Sequence, residues 1–158
     1  MDRPEIKGEG VIEFFVPGTP RPAGSKRGFP VKGRDGRVHV AMTDSSGAKG
    51  KSWRVACVAA VTEVWHDDPI SEPIRLEVEF VMPRPGTHFG KRKGEPYLKP
   101  DAPTRHTAKP DATKLLRALE DALTGVVWKD DAQVVEQFVS KRYGPRPGAN
   151  VIVTVESA

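Results

Sequence analysis

Ile74-Arg75-Leu76-Glu77-Val78-Glu79-Phe80-Val81-Met82 alternates apolar and polar side chains along its length, with only Val81 interrupting the polar side. Successive side chains of a strand point to opposite faces, so Ile74, Leu76, Val78, Phe80 and Met82 mark the core side of a half-buried strand. Pro83-Arg84-Pro85-Gly86 ends it. Before it, Val11-Ile12-Glu13-Phe14-Phe15-Val16 is a second β-rich run, closed by Pro17-Gly18. After it, Val134–Tyr143 and Asn150–Glu156 are two more, and the short Gly144-Pro145-Arg146-Pro147-Gly148 link suggests that they pair as a hairpin. Two segments repeat at helical spacing instead. Trp53, Cys57, Ala60, Val61 and Val64 predict a helix over Lys51–Trp65. Leu115, Leu119, Ala122 and Leu123, with Leu116 beside them, predict a second over Asp111–Leu123, stopped by Gly125. The order strand, helix, strand, helix, strand, strand lacks the regular interleaving of a parallel doubly wound fold. It predicts an α+β domain: a small mixed β-sheet with helices packed on one face.

The 158 residues fit a single domain over 1–158, large enough to bury a core without staples. The segment 19–51 reads as a long basic loop or hairpin, with Arg37-Val38-His39-Val40 as a small strand inside it, and 84–110 reads as a long basic loop. Cys57 is alone, which excludes an internal disulfide framework and any CxxC pair. His39, His66, His88 and His106 are scattered, without the helical i,i+4 pairing of a zinc site. The opening MDRPEIKGEG is polar and of both charge signs, unlike a secretory leader. The longest apolar run, Val55–Val61, is far short of a membrane span. A soluble intracellular protein is expected, with no membrane partner.

Net charge is +4, and its placement is uneven. Arg21–Arg54 holds nine basic residues against Asp35 and Asp44, and Arg84–Arg117 holds nine against Glu95, Asp101 and Asp111. Between them, Val55–Pro83 has Arg75 as its one base. Two basic, Gly- and Pro-rich segments on a small domain point to a polyanion partner, most simply nucleic acid.

Gly47-Ala48-Lys49-Gly50-Lys51-Ser52 ends like a phosphate-binding loop, but Ser45 stands where the pattern needs a glycine and no buried strand precedes it. Nucleotide triphosphate binding is not expected. Lys109-Pro110-Asp111-Ala112-Thr113-Lys114-Leu115-Leu116-Arg117 is more informative. On residue type alone Asp111 is a helix N-cap, complementing the helix dipole. Trp128-Lys129-Asp130-Asp131-Ala132 reads first as a solvated turn before a strand. Both are also where carboxylates would hold Mg²⁺, an ion that takes one or two carboxylates, keeps several waters and accepts phosphate oxygens. Bound beside a phosphodiester, it offsets charge on the phosphate and on the leaving oxygen. Acids flanked by basic segments suit that chemistry.

These residues resemble the RusA family of Holliday junction resolvases. The likeness runs through Lys109-Pro110-Asp111, Leu115-Leu116-Arg117, Asp121-Ala122-Leu123-Thr124-Gly125, Trp128 to Val135, and Ser140-Lys141-Arg142-Tyr143-Gly144. It extends more loosely to Val81–Pro85 with His88, to Phe15–Pro20, and to the helix near Trp53. The resemblance implies a RusA-like fold and a homodimeric, Mg²⁺-dependent endodeoxyribonuclease, with Mn²⁺ as an alternative ion. It implies paired nicks in four-way DNA junctions during recombination, repair or phage DNA processing, and a phage or prophage origin suits it. A two-fold junction matched by a two-fold dimer agrees with this. The family's Asp-x-Asp-Asn motif, its following Lys and its late Asp fall on Asp111, Thr113, Lys114, Arg117 and Asp131. The resemblance thus implies metal ligation by Asp111 and Asp131, with Asp130 as a further candidate, and a phosphate contact by Arg117. Lys26, Arg27, Arg92, Lys93, Lys109 and Lys114 would meet the DNA backbone. Thr113 replaces a carboxylate and Lys114 adds a cation, so a junction binder with a degraded metal site is the alternative expectation. Asp121 and Glu79 are acids that would compensate. His106 is a candidate general base, or an incidental loop histidine. Trp53 and Trp65 are expected in the core, and Trp128 either in the core or in a dimer seam.

Overall fold

The computed structural model describes residues 10–24, 26–44 and 47–157, without the side chains of 26–28 and 42–44. In chain order it contains β1 (Val11–Pro17), β2 (Lys26–Lys32), β3 (Val38–Asp44), α1 (Gly47–Thr62), β4 (Ile74–Met82), β5 (Phe89–Arg92), β6 (Glu95–Leu98), α2 (Ala112–Leu123), β7 (Val134–Tyr143) and β8 (Gly148–Val155). The central sheet has the order β1-β8-β4-β7. Its β4–β7 pair is parallel, and β4–β8 and β1–β8 are antiparallel. The expected α+β class, a mixed sheet with two helices, is what forms.

The alternation of β4 decides its layering. Ile74, Leu76, Val78, Phe80 and Met82 are buried, as are Ile12, Phe14 and Val16 of β1 and Ala149, Val151 and Val153 of β8. Against this face α1 brings Trp53, Cys57 and Val61, lying over β1, and α2 brings Leu115, Leu116, Leu119, Ala122 and Leu123, lying over β7. Trp128 is wholly buried and belongs to this core, stitched in by the Ile70–Trp128 bridge. Trp53 is buried with it and Trp65 packs half-buried at its margin. Burial pushes the Cys57 thiol up to about 12, so it acts as an apolar filler and not as a nucleophile. Leu119 sits on the sheet-facing stripe of α2 with no exposed surface. Leu119→Ala is expected to cost about 2–5 kcal/mol, read as a lower urea midpoint with an unchanged slope.

Three expectations are corrected. First, β7 and β8 do not form a hairpin, because β4 lies between them. Pro145 and Pro147 have no N–H for a ladder, and the link bends at 145–146 as it carries the chain over the end of β4. Gly144 N donates to Met82 O at 3.1 Å and Gly18 N to Pro147 O at 3.1 Å, tying both sides of that crossing. Gly148 is obligatory there, since a Cβ would collide with the Val16 carbonyl. Second, α1 starts at Gly47 and not Lys51, so the GAKGKS stretch forms helical turns and not a phosphate loop. It stops at Thr62, whose hydroxyl bonds back to the Val58 carbonyl and competes with the helix ladder. Third, the segment 84–110 is not a plain loop, and of the two readings of 19–51 the hairpin is the one that forms. The latter carries the β2–β3 ribbon and the former the β5–β6 ribbon. The tip of β5–β6 has positive φ at Lys93 and Gly94, the backbone that lets a two-residue turn follow strand twist.

The sheet face away from the helices stays open. Arg75 lies within 3.8 Å of Glu77 and 3.7 Å of both Glu136 and Glu156. Glu79 accepts from Arg142 at 3.2 Å and from Asn150 at 3.1 Å. The guanidinium of Arg142 holds the Glu79 carboxyl below its ordinary value. With Glu13, the acids on this face outnumber Arg75, Arg142 and Arg146. Among the described residues no helix is long and apolar enough to cross a membrane.

Candidate active site

Asp111 occupies the N-cap of α2 in extended backbone, φ −68° and ψ 144°. Its carbonyl starts the helix by accepting from Leu115 N at 3.1 Å, yet its carboxylate makes no capping bond. Position alone predicted a cap; the side chain is left free for another partner. The segment leading into it is held from β7. Lys141 Nζ donates to Ala108 O at 2.7 Å and to Pro110 O at 2.8 Å. An ammonium has three protons, so one remains for a further acceptor beside Asp111.

The same segment is pinned further back. Tyr143 N donates to Thr104 O at 2.9 Å. His106 and His88 each meet the Tyr143 ring edge-on at 4.8 Å. The Arg84 guanidinium lies 5.5 Å from the centre of that ring and donates to Pro103 O at 2.7 Å. His106 is only 7% exposed. Burial, then the Lys141 charge, pushes its pKa down. It is thus a buried residue packed on Tyr143, with little surface to offer a substrate.

The other end of α2 holds a separate acidic group. Asp130 caps a short 3-10 turn at Asp131–Gln133, accepting from Ala132 N at 2.8 Å, while its own N–H donates to Gln133 Oε1 at 2.7 Å. Its carboxylate is thus engaged in local structure. Asp131 is exposed and faces the Thr124 hydroxyl, which also lies 2.8 Å from the Glu120 carbonyl. One hydroxyl proton serves both acceptors. Glu120 accepts from Gln137. Its pKa is raised, chiefly by burial, with Asp131 and Asp121 adding to the effect and the Gln137 bond opposing it.

That raised pKa has a sign that melting can read. The folded state holds the Glu120 proton more tightly than the unfolded chain does, so ionisation costs stability as pH rises through the raised value. Glu120→Gln is expected to raise Tm at neutral pH and to leave it unchanged near pH ~3, where the carboxyl is protonated in both states. An equal Tm across that range would exclude the acid cluster as a source of strain.

α2 has 12 residues, so its ends lie about 18 Å apart. Two carboxylates on one Mg²⁺, each about 2 Å from it, sit within about 4 Å of each other. Asp111 and Asp131 of one chain therefore do not meet. Among the described residues no three Asp, Glu, His or Cys side chains converge as a cation site. Arg117 lies between the two ends, exposed on the same side of α2 as Thr113, Lys114 and Asp121. Lys109 and Lys114 are exposed beside Asp111. Arg92 and Lys93 stand at the tip of β5–β6, with the Arg92 guanidinium 5.5 Å from the Tyr97 ring centre. Lys26 and Arg27 begin β2, and their side chains lie outside the described residues. Glu79 is committed to the open face, away from both groups.

Glu120, Gln137 and Lys141 were not singled out from the sequence. Each carried a signal. Glu120 stands beside the Leu116–Leu119–Leu123 stripe, which half-buries it. Gln137 and Lys141 pair with Leu76 and Phe80 of β4, so these two polar residues fall on the helix-facing side of a strand.

An uncapping Asp111 carboxylate at one end of a helix and an acidic cluster at the other, with exposed lysines and arginines between and beside them, make a surface for nucleic-acid chemistry. The family model described as endodeoxyribonuclease RusA matches residues 17–155, and the chain belongs to that family of nucleases. Members act on branched DNA junctions and generally depend on a divalent metal. The chain is also similar to the uncharacterized protein YqaN of Bacillus subtilis (strain 168), 32% identical over 147 residues, which is 93% of this chain and 98% of that protein.

Proposed function

We propose that this chain is a Mg²⁺-dependent endodeoxyribonuclease that nicks four-way DNA junctions in pairs, working as a homodimer. The observation that carries this is the grouping of an uncapping Asp111 carboxylate with cationic neighbours at one end of α2 and of half-buried Glu120 with exposed Asp131 at the other. The oxygen donors fit a hard divalent ion. Bound there, the ion would supply charge neutralisation at the scissile phosphate and its leaving oxygen. Asp111, Asp131 and Glu120 would hold it. Arg117 and the third proton of Lys141 would orient the phosphate, and Lys109, Lys114, Arg92 and Lys93 would bind flanking backbone. Asp130 is better read as a cap. Thr113 offers a hydroxyl where the family motif has a carboxylate, and Glu120 supplies a compensating acid.

The 18 Å problem is relieved by two copies. β7 is the edge of the sheet, and Val135, Phe138 and Val139 are exposed along it at 58%, 57% and 37%. Apart from its Arg142–Tyr143 end, which meets Thr104 and Arg105, this edge is unpaired among the described residues and is a ready site for another strand. Asp131 precedes β7, while Lys141 and Asp111 lie by its far end. Antiparallel pairing of β7 with β7 of a second copy brings the Asp131 end of each chain toward the Asp111 end of the other. Two equivalent sites then match two opposed strands of a junction. An end-labelled four-way junction, incubated with and without Mg²⁺, tests the reading: symmetric nicks that need the metal are expected. A shifted complex with no nicks in Mg²⁺ or Mn²⁺ would favour the junction-binding alternative, in which Thr113 marks a lost centre.

A further inference from the structure

The GAKGKS stretch is not a phosphate loop, yet it lines a cavity. Between the end of β1 and the first turns of α1 lies a pocket of about 320 Å³, lined by Pro17, Thr19, Arg21, Lys49, Ser52 and Trp53 among others. Arg21 and Lys49 supply positive charge, no acid lines the pocket among the described residues, and the Thr19 and Ser52 hydroxyls can donate or accept. Trp53, only 4% exposed, and Pro17 give it apolar walls. The volume is at the small end of ligand sites, which run from about 300 Å³ upward. One nucleotide unit fits such a space; a duplex does not.

Its position gives the pocket meaning. Two residues beyond Arg21, Ala23 N donates to Lys114 O at 3.0 Å, in the first turn of α2. Two residues span at most about 7 Å, so the pocket opens beside the end of α2 that carries Asp111. A strand whose phosphate lies at Asp111 would pass it. Branch points hold nucleotides that leave the stack at least cost, because their neighbours are already displaced or unpaired.

We propose that this pocket receives one unstacked nucleotide of the branched DNA strand, its phosphate bound by Arg21 and Lys49 and its sugar and base held against Pro17 and Trp53. The proposal rests on DNA being the substrate, and adds a reason for choosing branched over linear DNA. The pocket would act on binding, before and independently of any metal step.

Metal-free binding of the full-length protein tests it, comparing a four-way junction with a duplex of the same sequence. Ser52 is exposed on α1, so Ser52→Phe fills the pocket from its rim; Lys49→Ala removes one cation without filling. Ser52→Phe is expected to weaken junction binding about tenfold, the loss of one base contact, and duplex binding by less than about twofold. Lys49→Ala is expected to weaken junction binding and to lower its salt slope by about 1. A junction with 5-iododeoxyuridine at the branch is expected to photocrosslink to the wild-type peptides lining the pocket. Unchanged junction-to-duplex ratios in both variants would overturn the pocket while leaving DNA as substrate. A wild-type protein with no preference for the junction would likewise overturn the pocket, and one that binds neither DNA would overturn both. Displacement of the junction by equimolar dTMP would overturn the strand as the source of the nucleotide.

Discussion

Asp131→Asn is expected to reduce metal-dependent nicking of a four-way junction by about 10³-fold, the scale of losing one preorganised charge at a phosphoryl or acyl centre. Asp111→Asn should do the same. Neither should weaken metal-free junction binding, because a carboxylate repels the DNA backbone and its loss can only relieve that repulsion. The informative experiment mixes the two variants. If each site takes Asp111 from one chain and Asp131 from the other, a mixed dimer has one site doubly disabled and one intact. With random exchange, half the dimers are mixed, and about a quarter of wild-type nicking should return as single, unpaired nicks. If each site lies within one chain, both chains of the mixed dimer are disabled and nothing returns. The 18 Å length of α2 is the reason to expect recovery.

The second large effect concerns the free edge of the sheet. Phe138→Lys with Val135→Lys places charge on an edge that otherwise invites pairing. Both residues are more than half exposed in the isolated chain, so its fold should tolerate them and the monomer's Tm should move little. Each substitution appears twice in a two-fold interface. The dimer is expected to dissociate about 100-fold more readily or worse, given that a central apolar anchor contributes about 2 kcal/mol or more. Sedimentation at micromolar protein would read this directly, and isothermal calorimetry with Mg²⁺ should lose its heat in parallel. A variant that stays dimeric would remove β7 as the contact. A monomer that still binds Mg²⁺ tightly would remove the shared site.

Much of the layering was legible because it rests on local periodicity. The alternation of β4 and the leucine stripe of α2 each state which side is buried, and nothing elsewhere in the chain overrides them. The pairing of β7 was not legible. Its neighbour β4 is about sixty residues away in sequence, and the short link to β8 suggested the nearer partner. The site divides in the same way. Asp111 and Asp131 stood out as acids in a recognisable order, but order along the chain carries no distance. Only the intervening twelve-residue helix shows that one chain holds them apart. Lys141 and Glu120 lie in segments whose patterns were already assigned to strand and helix, so their polar character was easy to pass over. The engagement of Asp130 as a cap, and the release of Asp111 from one, depend on backbone angles that residue type does not fix.

The open face of the sheet bears on how DNA arrives. Glu13, Glu77, Glu79, Glu136 and Glu156 gather on that side, and the cations of α2 and the β5–β6 ribbon lie elsewhere. Even with Arg75, Arg142 and Arg146 among them, that side stays net negative, so a protein of modest net positive charge is electrically polarised. In the field of a polyanion it feels a torque as well as an attraction, and turns before it touches. The acidic side shortens the rotational search by making the wrong approach repulsive. Neutralising three of those glutamates as glutamine would raise the net charge and tighten non-specific duplex binding, while slowing the formation of productive complexes. Greater positive charge would then give slower capture, the reverse of what net charge alone predicts.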